Sequence, residues 1–121
     1  MSIALDHTIV PARDKVAAAR FFAEMFGLPF EGVRGPFAPV PVNAGLTLDF
    51  DDAERFEPHH YGFLVSEEEF DAILGRVRAA GVPHGAGPES GYDGQLYYRA
   101  GGRGVYFVDP NGHSYEAFTR A

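Results

Sequence analysis

The sequence predicts an α+β fold in which two βαβββ modules follow one another in tandem and form a curved mixed sheet. Two observations predict it: strand-like and helix-like segments come in the same order in both halves of the chain, and both halves end in a hairpin-like pattern. The chain has 121 residues, 45% of them apolar and 22% charged, which fits a single domain with a packed core. We place the first module at about residues 1–53 and the second at about residues 57–121.

The first module begins with an alternating stretch at residues 5–12, which predicts a strand that Pro11 closes. Apolar residues then recur at helical spacing over residues 13–26, and Gly27 is a typical C-terminal stop. The turn at residues 43–45 joins the last two strands of the module. Three extended segments are predicted after the helix, at residues 29–33, 37–42 and 46–50.

The second module repeats this order. A strand at residues 60–65 leads to Ser66, which forms a capping box with Glu69 at the start of a helix that Gly81 stops. The glycine-rich loop at residues 84–94 is either a slack connector or a lid that orders over a ligand. A strand-like piece begins at residue 82, further strands are predicted at residues 95–99, 104–108 and 114–119, and a tight turn at residues 109–112 joins the last two.

The internal repeat also pairs residues that carry chemistry. Each half offers a histidine on its first strand and a carboxylate on its last. The equivalent pairs are His7 and His60, Gly27 and Gly81, Gly45 and Gly112, Thr47 and Ser114, and Asp49 and Glu116. Two modules related by a pseudo-twofold would bring the histidines and carboxylates to one cleft.

We therefore predict one divalent metal ion between the modules, on His7, His60 and Glu116. Two imidazoles and one carboxylate bind Fe(II), Mn(II), Ni(II) or Zn(II) and leave coordination positions open for the oxygens of a substrate. Because the imidazoles must be neutral to bind, metal affinity should fall below about pH 6.5.

Other residues have competing interpretations. His59 replaces His60 as ligand if the strand register is shifted by one, and otherwise faces solvent. His113 caps or solvates its turn, and His84 lies in a loop that could reach a ligand. Tyr97 and Tyr98 are the best candidates to line a pocket and bind a substrate oxygen, although most such aromatics belong to the core. Arg99 and Arg103 grip a substrate carboxylate or phosphate, or else only balance the acidic surface.

At these residues the sequence resembles the vicinal oxygen chelate superfamily, which includes glyoxalase I, fosfomycin-resistance thiol transferases, extradiol dioxygenases and bleomycin-binding proteins. The resemblance covers essentially the whole chain, and its segments are LDHT at residues 5–8, EPHHYGFLV at residues 57–65 and GVYFVDPNGHSYE at residues 104–116. It implies the glyoxalase-like fold, the ligands His7, His60 and Glu116, and a homodimer. Metal-dependent glyoxalases commonly have a fourth ligand at the place of Asp49, which is one methylene shorter than the usual glutamate. Asp49 then binds through water, acts as a base, or is a solvated carboxylate.

The resemblance implies a metal-dependent lyase, isomerase or transferase that acts on a small oxygenated metabolite, with Asp49 or a metal-bound water as proton shuttle. The alternative is a bleomycin-resistance-type protein that sequesters an aromatic cationic compound, although that branch generally lacks the metal triad. A net charge of −7 argues against a nucleic-acid partner. No apolar run spans a bilayer, and residues 1–10 are predicted to form a strand and not a signal peptide because they have no basic n-region and contain Asp6 and His7. Together with the absence of cysteine, these features favour a cytoplasmic protein.

Overall fold

The structure, a computed structural model, describes residues 3–121. It contains two units, Met1–Glu57 and Pro58–Ala121, and each has one helix and a mixed sheet of its own. Helices beside mixed sheets confirm the predicted α+β class. Neither helix of the described residues is long and apolar enough to cross a membrane.

The first unit has a three-stranded sheet in the order β1-β3-β2, where β1 runs parallel and β2 antiparallel to β3. Its elements are β1 (His7–Ala12), α1 (Lys15–Phe26), β2 (Ala38–Asn43) and β3 (Leu46–Asp52). The strand β1 passes through Pro11, which an edge strand of this sheet tolerates because one side of it makes no ladder hydrogen bonds. The buried core consists of Val10, Phe22, Val40, Leu48 and Phe50, among others.

Local sequence signals set the ends of α1. The side chain of Asp14 accepts hydrogen bonds from the backbone N–H groups of Val16 and Ala17, so the helix begins one residue later, at Lys15. Gly27 ends it with a φ of 70°, in the left-handed region where glycine is unstrained.

The predicted strand at residues 29–33 was wrong. Only an isolated bridge between Arg34 and Phe37 forms in this region. Gly32 and Gly35 have φ values of 99° and 55°, which break the extended run that a strand needs. The first unit is therefore βαββ, with one strand fewer than predicted.

The second unit has a five-stranded sheet with the path β4-β8-β7-β5, and β6 also pairs with β7. Strands β4 and β8 are parallel, and the pairs that involve β7 are antiparallel. Its elements are β4 (His60–Leu64), α2 (Glu67–Ala79), β5 (His84–Gly85), a 3₁₀ turn (Pro88–Ser90), β6 (Tyr97–Arg99), β7 (Gly102–Val108) and β8 (Ser114–Phe118).

The helix α2 confirms its predicted capping box. Glu69 donates its backbone N–H to the Ser66 hydroxyl, and the Glu69 carboxylate accepts the backbone N–H of Ser66. One face of the helix is buried through Phe70, Ile73 and Val77.

The glycine-rich loop is tied together at its base. Gly94 donates its backbone N–H to the carbonyl of His84 at 2.8 Å. A Cβ on Gly85 would lie 2.8 Å from the backbone nitrogen of Asp93, so only glycine allows the two ends of the loop to approach this closely. The loop is therefore not a slack connector where it leaves the sheet.

Candidate metal centre

The site in the second unit is built on the parallel strands β4 and β8. His60 lies opposite Ser114, and Gly62 lies opposite Glu116. Because side chains alternate along a strand, His60, Ser114 and Glu116 share one face of the sheet. The Nε2 atom of His60 is 2.9 Å from Oε1 of Glu116. Two of the three predicted ligands therefore meet within this unit.

Glu116 is a buried carboxylate on a strand whose other residues are a serine and three apolar or aromatic residues. Its side chain is 7% exposed, whereas the His60 side chain is 52% exposed. An ionised carboxylate removed from water needs charged or hydrogen-bonding partners, which here are His60 and the Tyr97 hydroxyl. A buried carboxylate beside a solvent-accessible imidazole provides two donor groups that can bind one divalent cation.

Two tyrosines complete the surroundings of Glu116. The Tyr97 hydroxyl donates to Oε2 of Glu116, and Tyr106 lies directly across from Glu116 on β7. Burial raises the pKa of Tyr97 well above its ordinary value, and its hydrogen bond to Glu116 raises it further. Burial and the Glu116 charge also raise the pKa of Tyr106. Both phenols therefore stay protonated at neutral pH.

The other predicted substrate-binding residues divide between the two faces of the β6–β7 hairpin. Arg99 shares a face with Tyr97, and its guanidinium carbon lies 5.7 Å from the centre of the Tyr97 ring. Tyr98 and Arg103 are partners in the β6–β7 register, so they occupy the opposite face. Arg103 contacts α2 there. Tyr97 therefore lies on the same face as Glu116 and contacts it, whereas Tyr98 and Arg103 lie on the face away from that carboxylate.

His7 lies in the first unit, where its partner is a neighbouring acid. Its Nδ1 atom is 2.9 Å from Oδ2 of Asp6, and both side chains are exposed. The hydrogen bond to Asp6 raises the pKa of His7, the charge of Asp6 adds to this, and Asp49 makes a smaller contribution of the same sign. With Nδ1 held by Asp6, Nε2 is the ring nitrogen of His7 left for a metal.

The strand registers reproduce the sequence repeat. His7 pairs with Thr47 in the first unit as His60 pairs with Ser114 in the second. In the same way, Ile9 lies opposite Asp49 where Gly62 lies opposite Glu116. The two modules therefore differ at three of these four positions: the first has threonine in place of serine, isoleucine in place of glycine, and aspartate in place of glutamate.

The donor chemistry of His60 and Glu116 fits a divalent metal. Across residues 3–121, no group of three or more His, Cys, Asp or Glu side chains could hold a metal ion. His60 and Glu116 supply two suitable donors in the second unit. His7 belongs to the first unit, and its role as third ligand stays a prediction.

The remaining histidines have contacts of their own. His113 was expected in a solvated or capping role, but its side chain is fully buried. Its Nδ1 accepts the backbone N–H of His59, and the two rings stack at 5.7 Å. The turn before it is held by Asp109, whose Oδ1 accepts the backbone N–H groups of Asn111 and His113. The DPNGH motif at residues 109–113 predicted the turn, but it did not predict that the His113 side chain is buried.

Comparison with known proteins adds a family and several relatives. Residues 4–117 match the family model described as the Glyoxalase/Bleomycin resistance protein/Dioxygenase superfamily. Oxidase ChaP-H2, a solved structure, is 48% identical with a TM-score of 0.94, over 100% of this chain and 96% of that one. Glutathione transferase FosA from Serratia marcescens is 27% identical over 93% of this chain and 77% of its own length. Lactoylglutathione lyase from Agrobacterium tumefaciens shares the fold, with 22% identity and a TM-score of 0.71 over 96% of this chain and 92% of that one.

Proposed function

The chain belongs to the glyoxalase/bleomycin resistance protein/dioxygenase superfamily, and from that premise we propose that it is a metal-dependent enzyme that acts on a small oxygenated molecule. Members of this superfamily typically use divalent metals and bind small-molecule substrates. The observation that carries the proposal is the contact of 2.9 Å between His60 Nε2 and Glu116 Oε1 on one sheet face. We propose His7 as the third ligand.

A bound metal would act as a Lewis acid toward substrate oxygens. Side chains of the protein would provide the ligand carboxylate, a cation for the substrate and a proton acceptor. Glu116 provides a buried carboxylate beside His60, and Arg99 beside Tyr97 offers a cation to an anionic group of the substrate. Asp49, the equivalent of Glu116 in the first unit, is our candidate for a proton acceptor.

For the reaction class we propose an oxidation with dioxygen as oxidant. This preference comes from the 48% identity with oxidase ChaP-H2 and the 45% identity with oxidase ChaP-H1. A second candidate is thiol transfer or a related lyase or isomerase reaction, which the 27% identity with glutathione transferase FosA favours. Oxygen uptake that depends on added Fe(II) and on the organic substrate separates the two, because thiol transfer and isomerisation consume no dioxygen.

The test of the metal site is the metal content of protein purified without added metal or a nickel-binding tag. Two imidazoles and a carboxylate are a sufficient donor set, so we expect about one transition-metal ion per chain in the wild type. We expect little metal in His60→Ala, because this variant lacks one of the two imidazoles. His59→Ala is the matched control, because His59 is adjacent in sequence but stacks on His113 instead of contacting Glu116. It should keep its metal.

No metal in the wild type, even after incubation with Fe(II), Mn(II), Ni(II) and Zn(II), would contradict the enzyme proposal. The bleomycin-resistance-type alternative would then be tested by titration with aromatic cationic compounds. Loss of metal in both His59→Ala and His60→Ala would mean that β4 as a whole, and not the His60 imidazole, supports the ion.

We also propose a homodimer in the cytoplasm, and a mixing experiment tests whether two copies share a site. His7→Ala and His60→Ala chains are unfolded together, refolded as a mixture and assayed for metal. If one copy supplies His7 and the other supplies His60 and Glu116, each mixed dimer regains one intact site. If each chain builds its own site, mixing restores nothing.

A further inference from the structure

We propose that Tyr97 is a positioning residue that holds Oε2 of Glu116, so that Oε1 is the oxygen offered to the metal ion. This inference rests on the proposed function, in which Glu116 is a ligand. It replaces the sequence-based expectation that Tyr97 binds a substrate oxygen with a role toward the carboxylate.

The two carboxylate oxygens of Glu116 have different partners. The Tyr97 hydroxyl donates to Oε2, while Oε1 is 2.9 Å from Nε2 of His60. Because the Glu116 side chain is 7% exposed, water has little access to compete for either oxygen. The oxygen on the histidine side is thus the one placed to bind the same ion as His60, and the phenol occupies the other.

A glycine makes this arrangement possible. Tyr97 pairs with Gly104 in the β6–β7 register, and its ring lies against the glycine backbone. A Cβ on Gly104 would be 2.1 Å from Cζ of Tyr97 and 2.4 Å from its hydroxyl oxygen. Any side chain at position 104 would therefore displace the Tyr97 ring. The position of the phenol therefore depends on the absence of a side chain at residue 104.

Neighbouring side chains also hold the Tyr97 ring in place. The Tyr106 ring lies 5.8 Å from it, and the Arg99 guanidinium carbon lies 5.7 Å from its centre. These contacts do not involve the hydroxyl group. Tyr97→Phe should consequently keep the ring where it is and remove only the hydrogen bond to Glu116.

Outer-shell hydrogen bonds of this kind orient a ligand before the metal arrives, and their loss typically weakens metal affinity by about 10–100-fold. Without the phenol, Oε2 of Glu116 loses the hydrogen bond that holds it. We therefore expect weaker binding in Tyr97→Phe together with a changed coordination.

The experiment uses Co(II) alone as the probe, in competition with a chelator, on the wild type, Tyr97→Phe and Tyr98→Phe. Tyr98 is the matched control, since it lies next to Tyr97 on the opposite face of β6 and is 75% exposed. We expect Tyr97→Phe to bind Co(II) about tenfold more weakly and to change its visible absorption spectrum, with Tyr98→Phe unchanged. Gly104→Ala, which keeps the phenol but displaces it, should reproduce the effect of Tyr97→Phe.

Equal Co(II) affinity and an identical spectrum in the wild type and Tyr97→Phe would overturn this inference and leave the proposed function standing. Absence of Co(II) binding in the wild type would overturn both. The midpoint of thermal unfolding of each metal-free variant is measured alongside the Co(II) titration. Weaker binding with an unchanged Co(II) spectrum and a lowered midpoint in Tyr97→Phe would show a merely structural role and overturn the inference.

Discussion

His113 accepts a hydrogen bond at Nδ1 from the backbone N–H of His59, at 2.9 Å, inside the second unit. The neutral ring of His113 therefore carries its proton on Nε2. The backbone N–H of Ser114 returns a hydrogen bond to the carbonyl of His59, also at 2.9 Å. The two bonds fasten the chain to β8 one residue before His60, so they help to set the position of this candidate ligand.

Replacing His113 with alanine should lower the free energy of unfolding by about 3 kcal/mol, because the change leaves a cavity and removes the acceptor of the His59 N–H. Urea denaturation measures the loss. His59→Ala is the control, since it keeps the backbone N–H and removes only the exposed ring's contacts with His113 and Tyr61, so its loss should stay below about 1 kcal/mol. Equal losses in the two variants would show that the stack, and not the hydrogen bond, matters.

A small residue at position 62 should be needed for the contact between His60 and Glu116. A Cβ there would lie 3.4 Å from Cε1 of Phe118 and 3.5 Å from Oε1 of Glu116, so Gly62→Ala should be tolerated and should retain metal. Gly62→Ile, which copies Ile9 of the first unit, should displace the carboxylate and lose metal binding. Metal titration of both variants tests this prediction, and normal metal binding by Gly62→Ile would contradict it.

The pKa of His7 should depend on Asp6. A nearby carboxylate stabilises the protonated imidazole and raises its pKa, so Asp6→Asn should lower the pKa of His7. An NMR titration of the metal-free protein that follows the His7 ring protons measures this shift. Asp49→Asn should lower the pKa by less, because Asp49 contributes less than Asp6. A larger shift from Asp49→Asn would mean that His7 pairs with Asp49 in solution.

Arg103 should affect stability and leave metal binding unchanged. It contacts Glu67 at 2.9 Å and Asp71 at 2.7 Å, and its guanidinium lies 4.5 Å from the centre of the Phe70 ring. Arg103→Ala should cost about 1 kcal/mol, since the acidic partners are exposed and the loss comes mainly from packing on Phe70. Arg103→Lys keeps the charge but not the planar stack, so it should restore only part of the loss.

Chemical denaturation and metal titration of the two Arg103 variants are the measurements. Weaker metal binding by Arg103→Ala at unchanged stability would contradict this prediction.

Much of the candidate site could be predicted from residue order alone. The repeat that aligns Gly45 with Gly112 places Asp49 on Glu116, and the observed registers agree with that alignment. Local signals also fixed the capping of α2 at Ser66 and the stop of α1 at Gly27. Capping signals depend on neighbours within a few positions along the chain, and the repeat is visible when the two halves are aligned, so residue order alone contains this information.

The sequence by itself thus determined the α+β class, the order of elements apart from the strand at residues 29–33, and the pairing of histidine with carboxylate in the second unit. Only the tertiary structure decided that Tyr97 contacts Glu116, that Arg103 contacts α2 and that His113 is buried. The reason is physical. A strand shows its alternation in the sequence, but which face meets a helix or a carboxylate depends on pairing between strands far apart along the chain.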